Sequence, residues 1–299
     1  MTDFLKMHGL GNDFVIIDAR EMDAQAGAKT GPKTGTQTGW QMPVEAARLI
    51  ADRRLGIGCD QIMIIRHPRA SGDIFLEMLN ADGSQAGACG NGTRCVADLV
   101  MQQTGQSGIE IETISGLLSA WREEALISVN MGRPGLAWDD VPLAQAADTL
   151  AVPLIPGMPE ATCVSMGNPH AVLFFDTPDD LGAVDIAKIG AQLELHPVFP
   201  DRANIEFIAP LGTDHLRMRV WERGAGITSA CGSGACATAV AAVRRGLTGR
   251  SVRITLDGGD LHIHWPADGP HADHVIMTGA VDYVAQGKLS GALRAALAG

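Results

Sequence analysis

The chain has 299 residues, enough for one large domain or two of ordinary size, and a 46% hydrophobic content supports a packed core. Its net charge of −11, from 23 basic and 34 acidic residues, argues against nucleic acid or an anionic membrane as the main partner. Neither an N-terminal signal segment nor an apolar run of the ~18 residues a membrane helix needs is visible, so a cytoplasmic location with six reduced cysteines is expected.

In chain order, the first distinctive stretch is Gly11-Asn12-Asp13-Phe14-Val15. Residues 24–39 follow, low in complexity and rich in Gly and Thr, and read as an inserted surface loop without a catalytic role. Val44 to Arg53 has the periodicity of an amphipathic helix. Gln61 to Ile65 and Ile74 to Leu79 read as strands, the second ending at Asn80. Ala88-Cys89-Gly90-Asn91-Gly92 then opens a helix over 92–104 that stops at Gly105. Strands are predicted over Ile109–Thr113, from Gly116 to Trp121, and near Val129.

The pattern then recurs. Ala230-Cys231-Gly232-Ser233-Gly234 repeats the first cysteine motif 142 positions later and opens a helix over 234–245 that stops at Gly246. Asn204 to Ile208 matches Gln61 to Ile65, and Val252 to Leu256 matches Ile109 to Thr113, both at an offset of 143. Leu216 to Trp221 matches Ile74 to Leu79, with Glu222 in the place of Asn80. Val184 to Leu193 repeats the first helix, and Asp260 to Trp265 and Ile276 to Gly279 repeat the late strands. Gly167-Asn168-Pro169-His170 matches the Gly11 segment at an offset of 156, and the 24–39 insertion shifts the first copy by about the amount of the excess.

The chain therefore reads as a duplication of one α/β (α+β) unit whose hairpin-like late strands argue against a purely parallel sheet. The expected domains are 1–133 and 134–279, with a pseudo-twofold axis and an active site in the cleft between them.

A helix N-terminus carries unpaired N–H groups and partial positive charge. Cys89 and Cys231, each at such a start, are expected to have thiol pKa values lowered from about 8.5. The N–H groups at Gly90, Asn91, Gly232 and Ser233 are expected to cradle a carboxylate. Two such ends acting together fit removal and return of a proton beside that carboxylate, with one thiolate as base and the other thiol as acid. Inversion of a stereocentre follows, and in principle no cofactor is needed.

Cys59, Cys95, Cys163 and Cys236 read as buried packing residues. No C-x-x-C pair suggests zinc, and His262 and His264 on one strand face make a weak metal set, so no metal is expected. Gly232-x-Gly234-x-x-Ala237 with Asp257 twenty residues on resembles a dinucleotide-binding pattern, but the first copy breaks it at Cys95. Asn12, Gln61 and Asn80 correspond to Asn168, Asn204 and Glu222 and are candidate partners of a zwitterion. Glu222-Arg223 adds charge that the first copy lacks, pointing to a substrate with a second charged end.

The segments from Lys6 to Phe14, Asn80 to Ser84, Cys89 to Cys95, Met166 to His170, Glu222 to Gly226 and Ala230 to Cys236 closely resemble diaminopimelate epimerases, and the resemblance runs from Phe4 to about Tyr283. It implies conversion of LL-2,6-diaminopimelate to the meso isomer, without pyridoxal phosphate or metal, in bacterial lysine and cell-wall synthesis. It implies two similar domains with residues 280–299 returning to the first, and a homodimer. By resemblance, Cys89 and Cys231 transfer the protons. Asn12, Gln61, Asn80, Asn168, Asn204, Glu222 and Arg223 bind substrate, with main chain at Gly90-Asn91 and Gly232-Ser233, and His170 and Glu222 tune the thiols. The 24–39 insertion and Cys59 depart from the family pattern. Two alternatives stay open: another two-cysteine isomerase, such as a proline or hydroxyproline racemase, and a thiol redox protein using Cys89 and Cys231.

Overall fold

The computed structural model describes residues 3–25 and 39–298. Most of the 24–39 insertion therefore lies outside the described residues. The chain divides into two compact units, Met1–Val129 with Ala280–Gly299, and Asn130–Gly279.

The first unit runs β1 (Asp3–Gly9), β2 (Asn12–Asp18), α1 (Arg20–Gln25), α2 (Val44–Ala51), β3 (Gln61–Arg66), β4 (Ile74–Asn80), α3 (Gly90–Thr104), β5 (Gly108–Thr113), β6 (Gly116–Glu123) and β7 (Leu126–Asn130). The second runs β8 (Thr162–Ser165), β9 (Pro169–Phe174), α4 (Pro178–Gly182), α5 (Ile186–Glu194), β10 (Asn204–Gly212), β11 (His215–Glu222), β12 (Gly226–Ile227), α6 (Gly232–Arg244), β13 (Ser251–Leu256), β14 (Gly259–His264) and β15 (Ile276–Gly279). β16 (Asp282–Lys288) and α7 (Gly291–Ala298) complete the first unit, β16 pairing with β1 and α7 packing on α2.

Strand order bears out the duplication. The first unit reads β1-β2-β3-β4-β5-β6-β7 and the second β8-β9-β10-β11-β13-β14-β15. The second and fourth pairings of each series are parallel, β2 with β3 and β4 with β5, then β9 with β10 and β11 with β13. The other pairings within the two series are antiparallel. Both sheets are thus mixed and largely antiparallel.

Each sheet wraps a helix. α3 is buried at every residue from Gly90 to Met101 and packs on β1, β2, β3, β5 and β6. It ends where Gly105 takes a left-handed φ of 72° and returns its N–H to Met101 O. α6 is buried over Gly234–Ala242 and packs on β8, β9, β10, β13, β14 and β15. Its Gly, Ala and Cys side chains permit close approach, so small residues rather than aromatics fill this interior.

The opposite sheet faces carry the outer helices. In the first unit Val15, Ile17, Ile62 and Ile64 pack with Ala46, Ala47 and Ile50 of α2 and Leu297 of α7. In the second, Ala171, Leu173, Ile205 and Phe207 pack with Ile186 and Leu193 of α5. Each such aliphatic side chain contributes about 1.5–3 kcal/mol on full burial. The buried Arg66 guanidinium binds Asp23 at 2.7 Å, Glu77 at 2.6 Å and Trp40 O at 2.9 Å, gathering both flanks of the insertion at one group.

Candidate active site

Cys89 is the N-cap of α3 and Cys231 the N-cap of α6, both in extended backbone. Both helices begin two residues earlier than their apolar spacing predicts, because the cysteine itself occupies the capping position. Their first-turn N–H groups lack intrahelical acceptors by helix geometry, as an anion site requires.

In the first unit, the Cys89 sulfur accepts the Gly92 N–H at 3.4 Å and lies 3.8 Å from Asn12 Oδ1. Asn91 Nδ2 also donates to Asn12 Oδ1, at 3.3 Å. Gln61 Nε2 donates to Asn80 Oδ1 at 3.0 Å, and Asn80 Nδ2 to Ser84 Oγ at 3.0 Å. Gln61 lies in register with Phe14 on one side and Asn80 on the other, so Asn12, Gln61 and Asn80 occupy one end of neighbouring strands. Behind Asn12, Asp60 Oδ2 accepts Asn12 Nδ2 at 2.8 Å, and Arg53 ties Asp60 to Asp13. A Cβ on Gly92 would lie 2.2 Å from Met63 Cε, so glycine lets the helix start seat on β3 without displacing the end of that side chain.

In the second unit the corresponding strand ends carry Asn168, Asn204 and Glu222. Asn204 is buried; its Oδ1 accepts the Arg223 N–H at 2.9 Å and its Nδ2 donates to Pro169 O at 3.2 Å. Its amide thus braces the Glu222–Arg223 turn. Thr228 Oγ1 donates to Glu222, and the Arg223 guanidinium donates to Asp201 O at 3.0 Å. His170 is fully buried, with Nδ1 2.7 Å from Glu206 Oε1 and Nε2 2.9 Å from Asn168 Oδ1. Asn168 Nδ2 reaches Ser233 Oγ at 3.4 Å, and Ser233 Oγ lies 3.6 Å from the Cys231 sulfur.

One expectation is corrected. The helix start does not lower the Cys231 thiol: burial pushes it well up, and the charges of Glu222 and Glu206 add to the rise, outweighing hydrogen bonds from Ser233 and Gly234. Cys59, Cys95, Cys163 and Cys236 are buried, as expected of packing residues. Burial pushes the Cys59 thiol up to about 11 and the Cys163 thiol up to about 12. Asp257, the acid of the dinucleotide-like pattern, pairs with Arg217 and, at 3.6 Å, with Arg219. Among the described residues no three His, Cys, Asp or Glu side chains are grouped to hold a metal ion, and no helix is long and apolar enough to cross a membrane.

Sequence reasoning missed Glu206 and Asp60. The signal for Glu206 was a lone carboxylate in the otherwise apolar run Ile205-Glu206-Phe207-Ile208. Asp60 stands directly before Gln61, and only the fold brings it to Asn12.

The diaminopimelate epimerase family model matches residues 4–137 and 162–284. The diaminopimelate epimerase of Rhodospirillum centenum is 52% identical over 290 residues, covering 96% of this chain and 92% of that one. That of Acidiphilium cryptum is 48% identical over 295 residues, covering 98% of each chain. Among solved structures, a PhzF-family phenazine biosynthesis protein from Enterococcus faecalis shares the fold at a TM-score of 0.66 and 13% identity, covering 97% of this chain and 99% of that one. A hydroxyproline epimerase from Agrobacterium vitis does so at 0.63 and 14%, covering 96% and 91%. With the duplicated mixed sheets and the paired cysteine caps, these matches establish that the chain belongs to the diaminopimelate epimerase family.

Proposed function

We propose that Cys89 and Cys231 are the acid–base pair through which this chain interconverts LL- and meso-2,6-diaminopimelate. The chain is an amino-acid epimerase of lysine biosynthesis, as its family membership establishes. The observation that carries the residue assignment is the duplication itself: a cysteine N-cap opens the buried central helix of each unit.

In the forward half-reaction one thiolate takes the α-proton, and the electron pair passes into the adjacent carboxylate. The other thiol delivers its proton to the opposite face, giving the inverted centre and leaving a thiolate behind. The step balances with no cofactor, and proton exchange resets the pair. First-turn N–H groups at Gly90-Asn91 and Gly232-Ser233 stabilise the charge that builds on the carboxylate. Asn12, Gln61, Asn80, Asn168, Asn204, Glu222 and Arg223 hold the substrate's charged and polar groups, and His170 and Glu222 set the thiols. The reading extends to a cytoplasmic homodimer, for which sedimentation should give a species of about twice the 31.4 kDa chain mass.

The test is incubation of LL-diaminopimelate with reduced enzyme in deuterated water without added cofactor. Meso product carrying deuterium at the inverted α-carbon is expected. Absence of exchange overturns the reading, and substantial epimerisation by Cys89→Ser or Cys231→Ser overturns the two-thiol assignment.

A further inference from the structure

The two cysteine caps sit on different ground. Register makes Phe14 and Met63 of the first unit the counterparts of His170 and Glu206 in the second, since Phe14 pairs with Gln61 as His170 pairs with Asn204. All four side chains are fully buried. Beneath Gly92 the neighbours are the Met63 and Phe14 side chains; beneath Gly234 they are Glu206 Oε1, Met218 and the Cys231 sulfur. The first unit thus packs this position with apolar groups, and the fold does not require an ionisable pair there.

The second unit nevertheless keeps one at a cost. Glu206 Oε2 is buried with no hydrogen-bond partner among the described residues. The polar groups that Glu206 does engage lead step by step to a sulfur. Glu206 Oε1 takes His170 Nδ1, His170 Nε2 meets Asn168 Oδ1, Asn168 Nδ2 donates to Ser233 Oγ, and Ser233 lies against Cys231 Sγ. Asn168 gives its Nδ2 to Ser233, so its Oδ1 faces Nε2 and accepts from it, while a single proton bridges Nδ1 and Glu206 Oε1. Ser233 Oγ already accepts from Asn168, which leaves its own proton for the sulfur.

We propose that Glu206 is a positioning residue for Cys231: by engaging Nδ1 of His170 it keeps the Nε2–H turned to Asn168 and fixes the direction of the hydrogen bonds beyond it, so that the Ser233 hydroxyl donates to the Cys231 sulfur and favours its thiolate. The inference rests on the reading of Cys231 as an acid–base thiol. Without Glu206 the Nδ1–H tautomer opens to the ring; in it the Asn168 amide turns over to donate to the bare Nε2, and Ser233 turns to accept from the thiol. The charged and titratable groups around this chain are Cys163 on β8, His170 on β9, Glu222 on β11 and Cys231 at the start of α6.

Two roles for Glu206 predict opposite signs. A carboxylate acting only through its negative charge holds the Cys231 thiol up, and its removal lets the thiol ionise at lower pH. A carboxylate acting through His170 stabilises the thiolate, and its removal moves ionisation to higher pH. The experiment follows iodoacetamide alkylation of the reduced full-length protein from pH 6 to 10, quantified on the Cys231 and Cys89 peptides of one sample. Wild type is compared with Glu206→Gln and with Glu206→Met, which installs the side chain the first unit carries at Met63.

The expected result is an upward move of the Cys231 profile by about one pH unit in both variants, roughly ten-fold slower alkylation at a fixed pH on the limb. Cys89 stays unmoved and serves as the control for folding. A downward move, or none, overturns the proposal. Glu206→Met decides the question if Glu206→Gln does not fold. Exchange of the substrate α-proton by wild type is read separately, so loss of the epimerase reading and loss of this chain are distinguishable.

Discussion

Asn12 donates through Nδ2 to Asp60 Oδ2 at 2.8 Å, while its Oδ1 sits 3.8 Å from the Cys89 sulfur. Asp60 thus fixes which end of the Asn12 amide faces the thiol. Asp60→Ala removes that restraint, and kcat/KM should fall about ten-fold, the scale of one hydrogen bond of about 1 kcal/mol or slightly more. Asp60→Asn retains an acceptor for Asn12 and should recover most of the loss. Steady-state epimerisation of the two variants checks this, and a change of under about two-fold in Asp60→Ala would show that Asn12 is held by other means.

Asp13 anchors the same corner. Burial pushes its carboxyl up, but hydrogen bonds from Arg53 and Lys6 and the charge of Lys6 outweigh that and hold it well below the usual range. A depressed carboxylate lends stability above its unfolded pKa of about 3.9, and that stability drains away as pH falls towards the folded value. Asp13→Asn should therefore be less stable than wild type at pH 7, by about 1–3 kcal/mol. The gap should narrow below about pH 4, in the region where the unfolded carboxyl gains its proton. Urea unfolding across pH 3–7 measures it, and a gap independent of pH would refute the assignment to Asp13.

The repeat was legible because tight side-chain packing at the two helix starts preserves it. A Cβ at Gly92 or Gly234 meets atoms closer than 3 Å, so the two motifs keep their glycines while the surroundings drift. Strand positions and the stop at Gly105 were readable from period and punctuation for the same local reasons. Long-range chemistry was not. Whether the Cys231 thiol is raised or lowered depends on how deeply α6 is buried and on carboxylates that arrive from β10 and β11. The lone charge of Glu206 was visible but misleading, because one carboxylate in an apolar strand reads as a solvent-facing position. Only the wrapped sheet turns it inward.

The glycines offer a direct contrast between the units. In Gly92→Ala the new methyl meets chiefly the flexible end of Met63 at 2.2 Å, and Met63→Ala supplies the missing space. The double variant should regain most of the activity that the single one loses. In Gly234→Ala the methyl lies 2.7 Å from Glu206 Oε1 and 3.2 Å from the Cys231 sulfur, so relief there displaces the chemistry itself. A loss of about 100-fold in kcat is expected, the scale of an ångström's misplacement. Equal loss in Gly92→Ala/Met63→Ala and Gly234→Ala would contradict this account.

Glu222 tests the electrostatics of Cys231 from the other side. After burial, its charge is the largest influence that pushes this thiol up, and Thr228 Oγ1 donates to its carboxylate. Glu222→Gln keeps the size and an acceptor for Thr228 while removing the charge. Thiolate then forms more easily, and the alkylation profile of Cys231 in the free enzyme should move to lower pH while Cys89 holds still. Epimerisation should still fall, because Glu222 also belongs to the proposed substrate set and neutral Gln binds an ammonium group poorly. The two carboxylates that raise the Cys231 thiol through space therefore separate by experiment. Loss of Glu222 shifts the sulfur down because it acts by charge, and loss of Glu206 shifts it up because it acts through His170. Shifts of the same sign would mean that both act as charges alone.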